Sequence, residues 1–394
     1  MGDSPLNILM VHPHDLRYDP WTIRILALAR EVKKQGHHVR LCHLPRKEKP
    51  AHNPIRSLPE TDIQIHDLQP RQQHIVPNTK LLYALAKECD ILHLQKCFAS
   101  VSLPLIWISR FLRKPLHYDW DDNETAISKL VEKRWLSRFQ LASFERNLPH
   151  FASTISVSSH ALKEKAIAYG FPSARIFHIP VGADTDRFHP RQVSKEILTE
   201  FGLSPEKITV LYVGQLEGAS HAGHLIEAAP LIRSQNMDCQ FLFAGGGEQL
   251  DGLLAQAQTS PARSVIHIAG YVPHELITQL VGAADICVAC FDDSEATRAK
   301  SPLKLAEYLA AGKAIVASDV GEVPWMLRDC GILVEPNNPL ALAEGILQYA
   351  HDEPKRRKDG EQARQRALEL YTWPKSGETL LKAYAQSIKP IEQA

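Results

Sequence analysis

LNILMVHPHDLRYDPWTIRILALAREVKKQGHHVRLCHL, residues 6–44, decides how the chain is built. LNILMVH is an apolar run of strand length, and the polar HPHDLRYDP after it is a loop. Within WTIRILALAREVKKQG, Ile23, Ile25, Leu26, Leu28 and Ala29 recur near helical spacing, and Gly36 stops the helix. HHVRLCHL is again a strand. Strand, loop, helix and strand within about 40 residues make a βαβ unit, and a chain that returns through a helix lays its strands parallel.

The alternation continues outward. KLLYALAKEC, VSLPLIWISRFLRK and HALKEKAIAYG are helices set between the strands DILHLQ, PLHYDW, STISVSS and ARIFHIPVG, and a long helical stretch occupies 126–150. Residues 184–206 carry charge and prolines without an apolar strand, which makes them the linker candidate. The pattern then restarts with ITVLYVGQ and runs through CQFLFAGGG, VIHIAGYV, DICVAC, KAIVAS and GILVEP to a last pair of helices. Two such runs predict an α/β chain of two Rossmann-like, doubly wound domains facing each other across a cleft. The expected domains are 1–186 together with a crossover helix at 371–394, and 187–370. Ligands of open parallel sheets bind at the carboxyl ends of the strands, so the loops 12–20, 95–99, 119–125, 214–224, 244–249 and 291–304 are where a site is expected.

Composition narrows the function class. The 394 residues are 44% hydrophobic and 23% charged, the profile of a globular protein with a sizeable core. No run approaches the roughly 20 apolar residues of a membrane span, and the opening residues lack the basic start and cleavage site of a secretory signal, so the cytoplasm is the expected compartment. Seven cysteines without regular spacing give no disulfide framework, and Cys287 and Cys290 lie inside an apolar strand. Residues 1–190 hold 26 Lys+Arg against 19 Asp+Glu, and the balance reverses after them. That asymmetry suits an anionic partner for the first half, although a plain solvated surface accounts for it as well. No dense basic block with interleaved aromatics is present, which argues against nucleic acid.

From Ile208 to Pro336 the sequence resembles the retaining, group 1 glycosyltransferases of family 4, which have the GT-B fold. VLYVGQLEGASHAGHLIEAAPLI, FLFAGGGEQLDGLL, VIHIAGYVPHELITQLVGAADICVAC, SPLKLAEYLAAGKAIVASDVGEVPWML and GILVEPNNPLALAEGI carry the resemblance in order and spacing. GHHVRL, DILHLQ and STISVSSHALKEKAIAYGFPSARIFHIPVGADTDRFHP extend it more loosely toward the N-terminus, and YTWPKSGETLLKAYAQS resembles the family's final helix.

The resemblance implies that Glu307 accepts hydrogen bonds from the ribose hydroxyls of a nucleotide, a task suited to a carboxylate because both oxygens can accept at once. Ser301, Pro302 and Leu303 open the same helix, and free backbone N–H groups there suit a diphosphate. Gly246 and Gly247, beside Gly245, resemble the family's loop next to base and diphosphate, where missing side chains let backbone approach a ligand.

The chain also departs from the family. Where relatives carry an arginine and, five residues later, a lysine, Gln215 and Ser220 stand here. Of His221, His224, Arg298, Lys300 and Lys304, Lys304 is the expected replacement for the missing charge. The partner glutamate eight positions before Glu307 is replaced by Ala299, and Glu295 is the expected substitute for holding the donor sugar.

In PLHYDWDDNE, Asp121 occupies the place of a histidine that binds donor sugar or acceptor in many relatives. Asp119, Asp121, Asp122 and Glu124 crowd negative charge at a strand end, which suits sugar hydroxyls or a divalent cation that the reaction does not require. Arg17, Asp19 and Trp21 replace the family's glycine-rich loop, where Trp21 either stacks on an acceptor sugar or packs internally. The segments 105–114 and 129–139 combine Trp or Phe with Lys and Arg, a pattern shared by helices that lie on anionic lipid and by ordinary core helices with basic outer faces.

The expected activity is transfer of a sugar from a UDP- or GDP-linked donor to a glycan or lipid-linked acceptor, with retained anomeric configuration, in polysaccharide, lipopolysaccharide or glycolipid synthesis. Asp121, Lys304 and Glu307 are the expected catalytic residues, and Asp122 joins the acceptor side. No cofactor or resident metal is expected, and peripheral contact with the inner face of a membrane is. The rivals are a UDP-sugar epimerase and a non-catalytic nucleotide-sugar-binding or partner subunit, the latter favoured by Gln215, Ser220 and Ala299.

Overall fold

The computed structural model describes residues 4–17, 22–45, 62–70, 74–131, 134–190, 193–216 and 221–389. Asp19, Trp21 and Ser220 lie outside the described residues. Contacts divide the chain into two units. One comprises Met1–Pro180, Ala299–Ser301 and Trp373–Ala394; the other comprises Val181–Arg298 and Pro302–Thr372.

The first unit is built on seven parallel strands: β1 (Asn7–His12), β2 (His38–His43), β3 (Gln64–Asp67), β4 (Ile91–Gln95), β5 (Leu116–Trp120), β6 (Thr154–Val157) and β7 (Ile176–His178). Their order is β3-β2-β1-β4-β5-β6-β7, so the winding reverses between β1 and β4. The helices are α1 (Ile23–Lys34), α2 (Ile75–Lys87), α3 (Ala99–Leu112), α4 (Glu124–Val131), α5 (Trp135–Asn147), α6 (His160–Ala168) and α15 (Trp373–Ile388). The helical stretch expected over 126–150 consists of α4, α5 and a 3₁₀ turn at Leu148–Phe151.

β4 and β5 are buried along their whole length, yet their two faces differ in chemistry. One face carries Leu92, Leu94, Leu116, Tyr118 and Trp120, continued by Ile155 and Val157 of β6 into an apolar core. The other carries two polar rows, set by the register His93–His117–Thr154 and Gln95–Asp119–Ser156. Most of these buried groups find partners, as the penalty of about 1–3 kcal/mol for an unmet one requires. His117 bonds Thr154 at 2.9 Å and Ser156 at 3.0 Å, and His93 Nδ1 lies 2.7 Å from the hydroxyl of Tyr384 on α15. A helix from the end of the chain therefore completes this sheet.

The second unit has six parallel strands: β8 (Ile208–Val213), β9 (Cys239–Ala244), β10 (Ile266–Gly270), β11 (Ile286–Ala289), β12 (Ala314–Ser318) and β13 (Ile332–Val334), in the order β10-β9-β8-β11-β12-β13. Its helices are α7 (Gly223–Ser234), α8 (Leu250–Thr259), α9 (His274–Ala283), α10 (Glu295–Arg298), α11 (Leu303–Ala310), α12 (Val323–Leu327), α13 (Pro339–His351) and α14 (Glu353–Leu370). The segment read as a linker belongs to this unit's packing: Phe188, Leu198 and Leu203 are buried in its core. Cys287 and Cys290 are buried thiols, and burial pushes both up to about 12. Among the described residues no helix is long and apolar enough to cross a membrane.

Candidate functional site

In the second unit the winding reverses between β8 and β11, and the loops leaving the strands there converge. Gly214 follows β8 with φ of 146°, and the Gly245 N–H donates to Gly270 at 2.7 Å. A Cβ on Gly245 would lie 1.8 Å from the Gly214 carbonyl oxygen, so glycine is obligatory at that contact. Leu216 N–H donates to the Gly246 carbonyl at 2.9 Å, which joins the loop holding Gln215 to the one holding Gly246 and Gly247.

α11 lies beside these loops. It is fastened to β8 by Val213 N–H, which donates to the Tyr308 hydroxyl at 2.9 Å. Its first turn places Lys304 Nζ 4.1 Å from the Tyr212 ring centre and 5.6 Å from that of Phe291. The ammonium is shielded from solvent and makes no hydrogen bond among the described residues. Cation–π attraction of roughly 0.5–2 kcal/mol does not match the several kcal/mol that removing an ion from water costs. Glu307 is one turn on, its side chain 11% exposed and 3.6 Å from His274 Nε2. A buried carboxylate thus stands one helical turn from an ammonium that meets no anion among the described residues.

The helix begins at Leu303, with Pro302 extended before it (φ −73°, ψ 115°). Ser301 groups with the first unit, together with Ala299, whose carbonyl accepts from Ser159 Oγ at 2.7 Å. Arg298, His221 and His224 are engaged elsewhere. Arg298 pairs with Asp293 at 2.6 Å on the surface, and His221 stacks on His224 with Nε2 3.6 Å from Asp292. Glu295 is exposed in the first turn of α10. His274, whose Nε2 faces the Glu307 carboxylate, had no sequence signal beyond its place at a helix start.

In the first unit, the four-carboxylate cluster expected at the end of β5 separates into two sites. Asp119 points into the sheet, where Arg24 of α1 holds both its oxygens (2.9 and 2.8 Å) and Ser156 Oγ donates at 2.5 Å. Burial would raise this carboxyl, but the Arg24 guanidinium outweighs it and holds the group well below the usual range. Asp121, Asp122 and Glu124 instead surround Lys96, whose Nζ lies 3.2, 3.0 and 2.6 Å from them.

Their oxygens all lie within 4.8 Å of one another, a spacing that suits a cation. The chain supplies one of its own. Burial alone would lower Lys96, yet the surrounding carboxylates hold it well above the lysine range. Asp121 is also raised, because burial outweighs the ammonium and lifts it to about 7. Lys96 adopts a left-handed backbone (φ 63°), unusual for a side chain of its size.

Gln95 connects the two sites. Its amide nitrogen lies 3.3 Å from Asp119 and 3.2 Å from Asp121, and its oxygen 2.7 Å from His12 Nδ1. With its N–H groups given to carboxylates, the Gln95 oxygen must accept from His12 Nδ1–H. Nε2 of His12 is then an acceptor, fully buried and unbonded among the described residues. Arg17, expected on the acceptor side, donates through Nε to buried Asp15 at 2.8 Å and folds the loop after β1 back on itself. Lys96, Gln95 and Arg24 escaped the sequence reading, although QK directly after a buried strand, in a loop already singled out, was a usable signal.

The comparisons bear on the family and the fold. The profile of the group 1 glycosyl transferases matches residues 193–366, and that of glycosyltransferase family 4 matches residues 22–187. Spore coat protein SA of Bacillus subtilis (strain 168) is 27% identical over 255 residues, 60% of this chain and 65% of its own length. Alpha-D-kanosaminyltransferase of Streptomyces kanamyceticus is 23% identical over 277 residues, 66% of this chain and 70% of its own. The matched stretch thus spans only about two thirds of these relatives. The solved structure of HepE from Anabaena, in complex with UDP and glucose, superposes with a TM-score of 0.75 at 15% identity, covering 96% of this chain and 99% of that one. Two parallel sheets with matching profiles on both halves place the chain among the group 1, family 4 glycosyltransferases, with the GT-B fold of two Rossmann-like units.

Proposed function

We propose that the protein transfers a sugar from a UDP- or GDP-linked donor to a glycan or lipid-linked acceptor, with retention of anomeric configuration, in the assembly of a polysaccharide, lipopolysaccharide or glycolipid. The observation that carries this reading is the presence on α11 of the Lys304 ammonium, unmatched among the described residues, and of buried Glu307 one turn on, beside the glycine loops. Glu307 would accept from both ribose hydroxyls, with His274 holding its orientation. Lys304 and the first N–H groups of α11 would neutralise the diphosphate, whose charge grows as the bond to the sugar breaks. Gln215, Gly246 and Gly247 would line its path. The structure of HepE with UDP and glucose supports a donor of this class.

In the first unit, Asp121, with Asp122 beside it, would accept from hydroxyls of the donor sugar or acceptor, and Lys96 would keep the carboxylates together without a resident metal. Retention needs no protein nucleophile in this scheme. The acceptor oxygen bonds to the anomeric carbon on the face the diphosphate leaves, and its proton passes to the departing phosphate oxygen.

A second reading, a nucleotide-sugar binder without turnover, is favoured by Gln215 and Ala299, which replace charged residues of the family. NMR of the purified protein with UDP- and GDP-sugars separates the two. Transfer or slow hydrolysis that first yields the donor's own anomer supports the enzyme. Tight binding with no turnover toward any acceptor supports the binder, and an inverted first product overturns retention.

A further inference from the structure

We propose that the outer face of α2, α3 and the turn Leu148–Phe151 is a docking surface for an anionic lipid bilayer. Helical spacing sets Lys80, Tyr83 and Lys87 on one side of α2, and Leu103, Trp107, Arg110 and Phe111 on one side of α3. The two helices pack side by side. Their rings form one cluster: Trp107 stacks on Phe111 at 5.2 Å, and Tyr83 lies 6.0 Å from Trp107 and 5.9 Å from Phe111.

These are not core residues. Trp107 is 51% exposed and Phe111 62%, and a monomer with no use for such a patch rarely keeps one. Cations frame it on several sides. Lys87 lies 4.8 Å from the centre of the Tyr83 ring, and the Arg110 guanidinium 5.6 Å from that of Phe151, which is itself exposed. Arg113 and Lys114 close the end of α3.

The charge pattern selects the occupant. Neither Ile75–Lys87 nor Cys97–Tyr118 contains an aspartate or glutamate, in a chain where acids and bases are equal in number. A protein partner buried on Trp107 and Phe111 would leave those cations to be matched one by one. A bilayer takes both at once: rings enter the interface while lysine and arginine heads extend to phosphate. α5 extends the same chemistry, with Trp135, Leu136 and Phe139 exposed beside Arg138.

The inference goes beyond the donor chemistry and is tested apart from it. The full chain is floated with vesicles of phosphatidylcholine alone and of phosphatidylcholine mixed with phosphatidylglycerol. Binding to the mixed vesicles only, weakened by salt, is expected. Trp107→Ala with Phe111→Ala should cut partitioning about ten-fold or more, and Arg110→Glu with Arg113→Glu by about five-fold per charge removed. Both variants should keep the wild-type melting curve and nucleotide affinity. Trp325→Ala, an exposed tryptophan of the other unit, should bind as wild type does. Failure to float with anionic vesicles, indifference to lipid charge, or binding unchanged in the Trp107/Phe111 variant overturns the proposal. So does self-association in sedimentation velocity that the same variant abolishes, because the face would then join two copies of the chain.

Discussion

Lys304 and Lys96 are both lysines withdrawn from water, and their surroundings assign them opposite tasks. Three carboxylates surround Lys96, so its charge is matched within the fold. Lys304 has aromatic rings and no anion among the described residues. Lys304→Met should therefore weaken nucleoside diphosphate binding roughly 10–100-fold while leaving the melting temperature unchanged or higher, since an apolar isostere removes an unbonded polar group. Calorimetry and thermal melts on the same samples check this. A lower melting temperature with unchanged affinity would make Lys304 a structural strut. Lys96→Met should cost about 3–5 kcal/mol near neutral pH by leaving carboxylates buried without their cation. That difference from wild type should shrink toward pH 5, where Asp121, already lifted to about 7, and Glu124, also raised by burial, take up protons and lose their mutual repulsion. Urea midpoints of variant and wild type at both pH values measure it.

At the scale of elements, α15 and the polar rows of β4, β5 and β6 depend on each other. Tyr384→Phe removes the hydroxyl that meets His93 and leaves a ring with no partner for either nitrogen among the described residues, a loss of about 1–3 kcal/mol that urea denaturation should detect. Nucleotide binding in the other unit should not change. Burial also sets a pH dependence. It holds His12 at about 3 and His93 at about 4, and lowers His117 and His43 as well. Free histidine titrates near 6.5, so the unfolded chain takes up protons first, and stability is lost as pH falls below that value. Each fully buried histidine contributes about 1.4 kcal/mol per pH unit. Asp121 and Glu124 are shifted upward and oppose the loss, being protonated in the fold before they are in the unfolded chain. Four groups against two leave a net loss, so the urea midpoint should be lower at pH 5 than at pH 7. A flat profile would mean that these histidines are hydrated.

For the whole molecule, strand and helix rhythm made both sheets legible, because parallel strands buried on two faces read as short apolar runs between amphipathic helices. The resemblance singled out Glu307, and Lys304 three positions before it shares the same helix, a local relation that the sequence shows. The polar rows were not legible. His93, His117 and Thr154 become neighbours only through strand register, and Arg24 meets Asp119 across 95 positions of sequence. Asp119 and Asp121 looked like one cluster because two-residue spacing keeps strand side chains on one face, and sequence distance does not say that β5 ends at Trp120 or that Arg24 and Lys96 divide the carboxylates between them. The linker reading failed for a similar reason: Phe188, Leu198 and Leu203 are too sparse to signal a core, yet the core takes all three.

The most direct test of the central claim, a nucleoside diphosphate held by α11 of the second unit, is isothermal titration of the full chain with UDP, GDP and ADP, repeated with Glu307→Ala. One nucleotide should bind the wild type well, and the variant should lose roughly 10–100-fold without a change in fold. Equal affinity in the two proteins, or no binding of any nucleotide to the wild type, would contradict it.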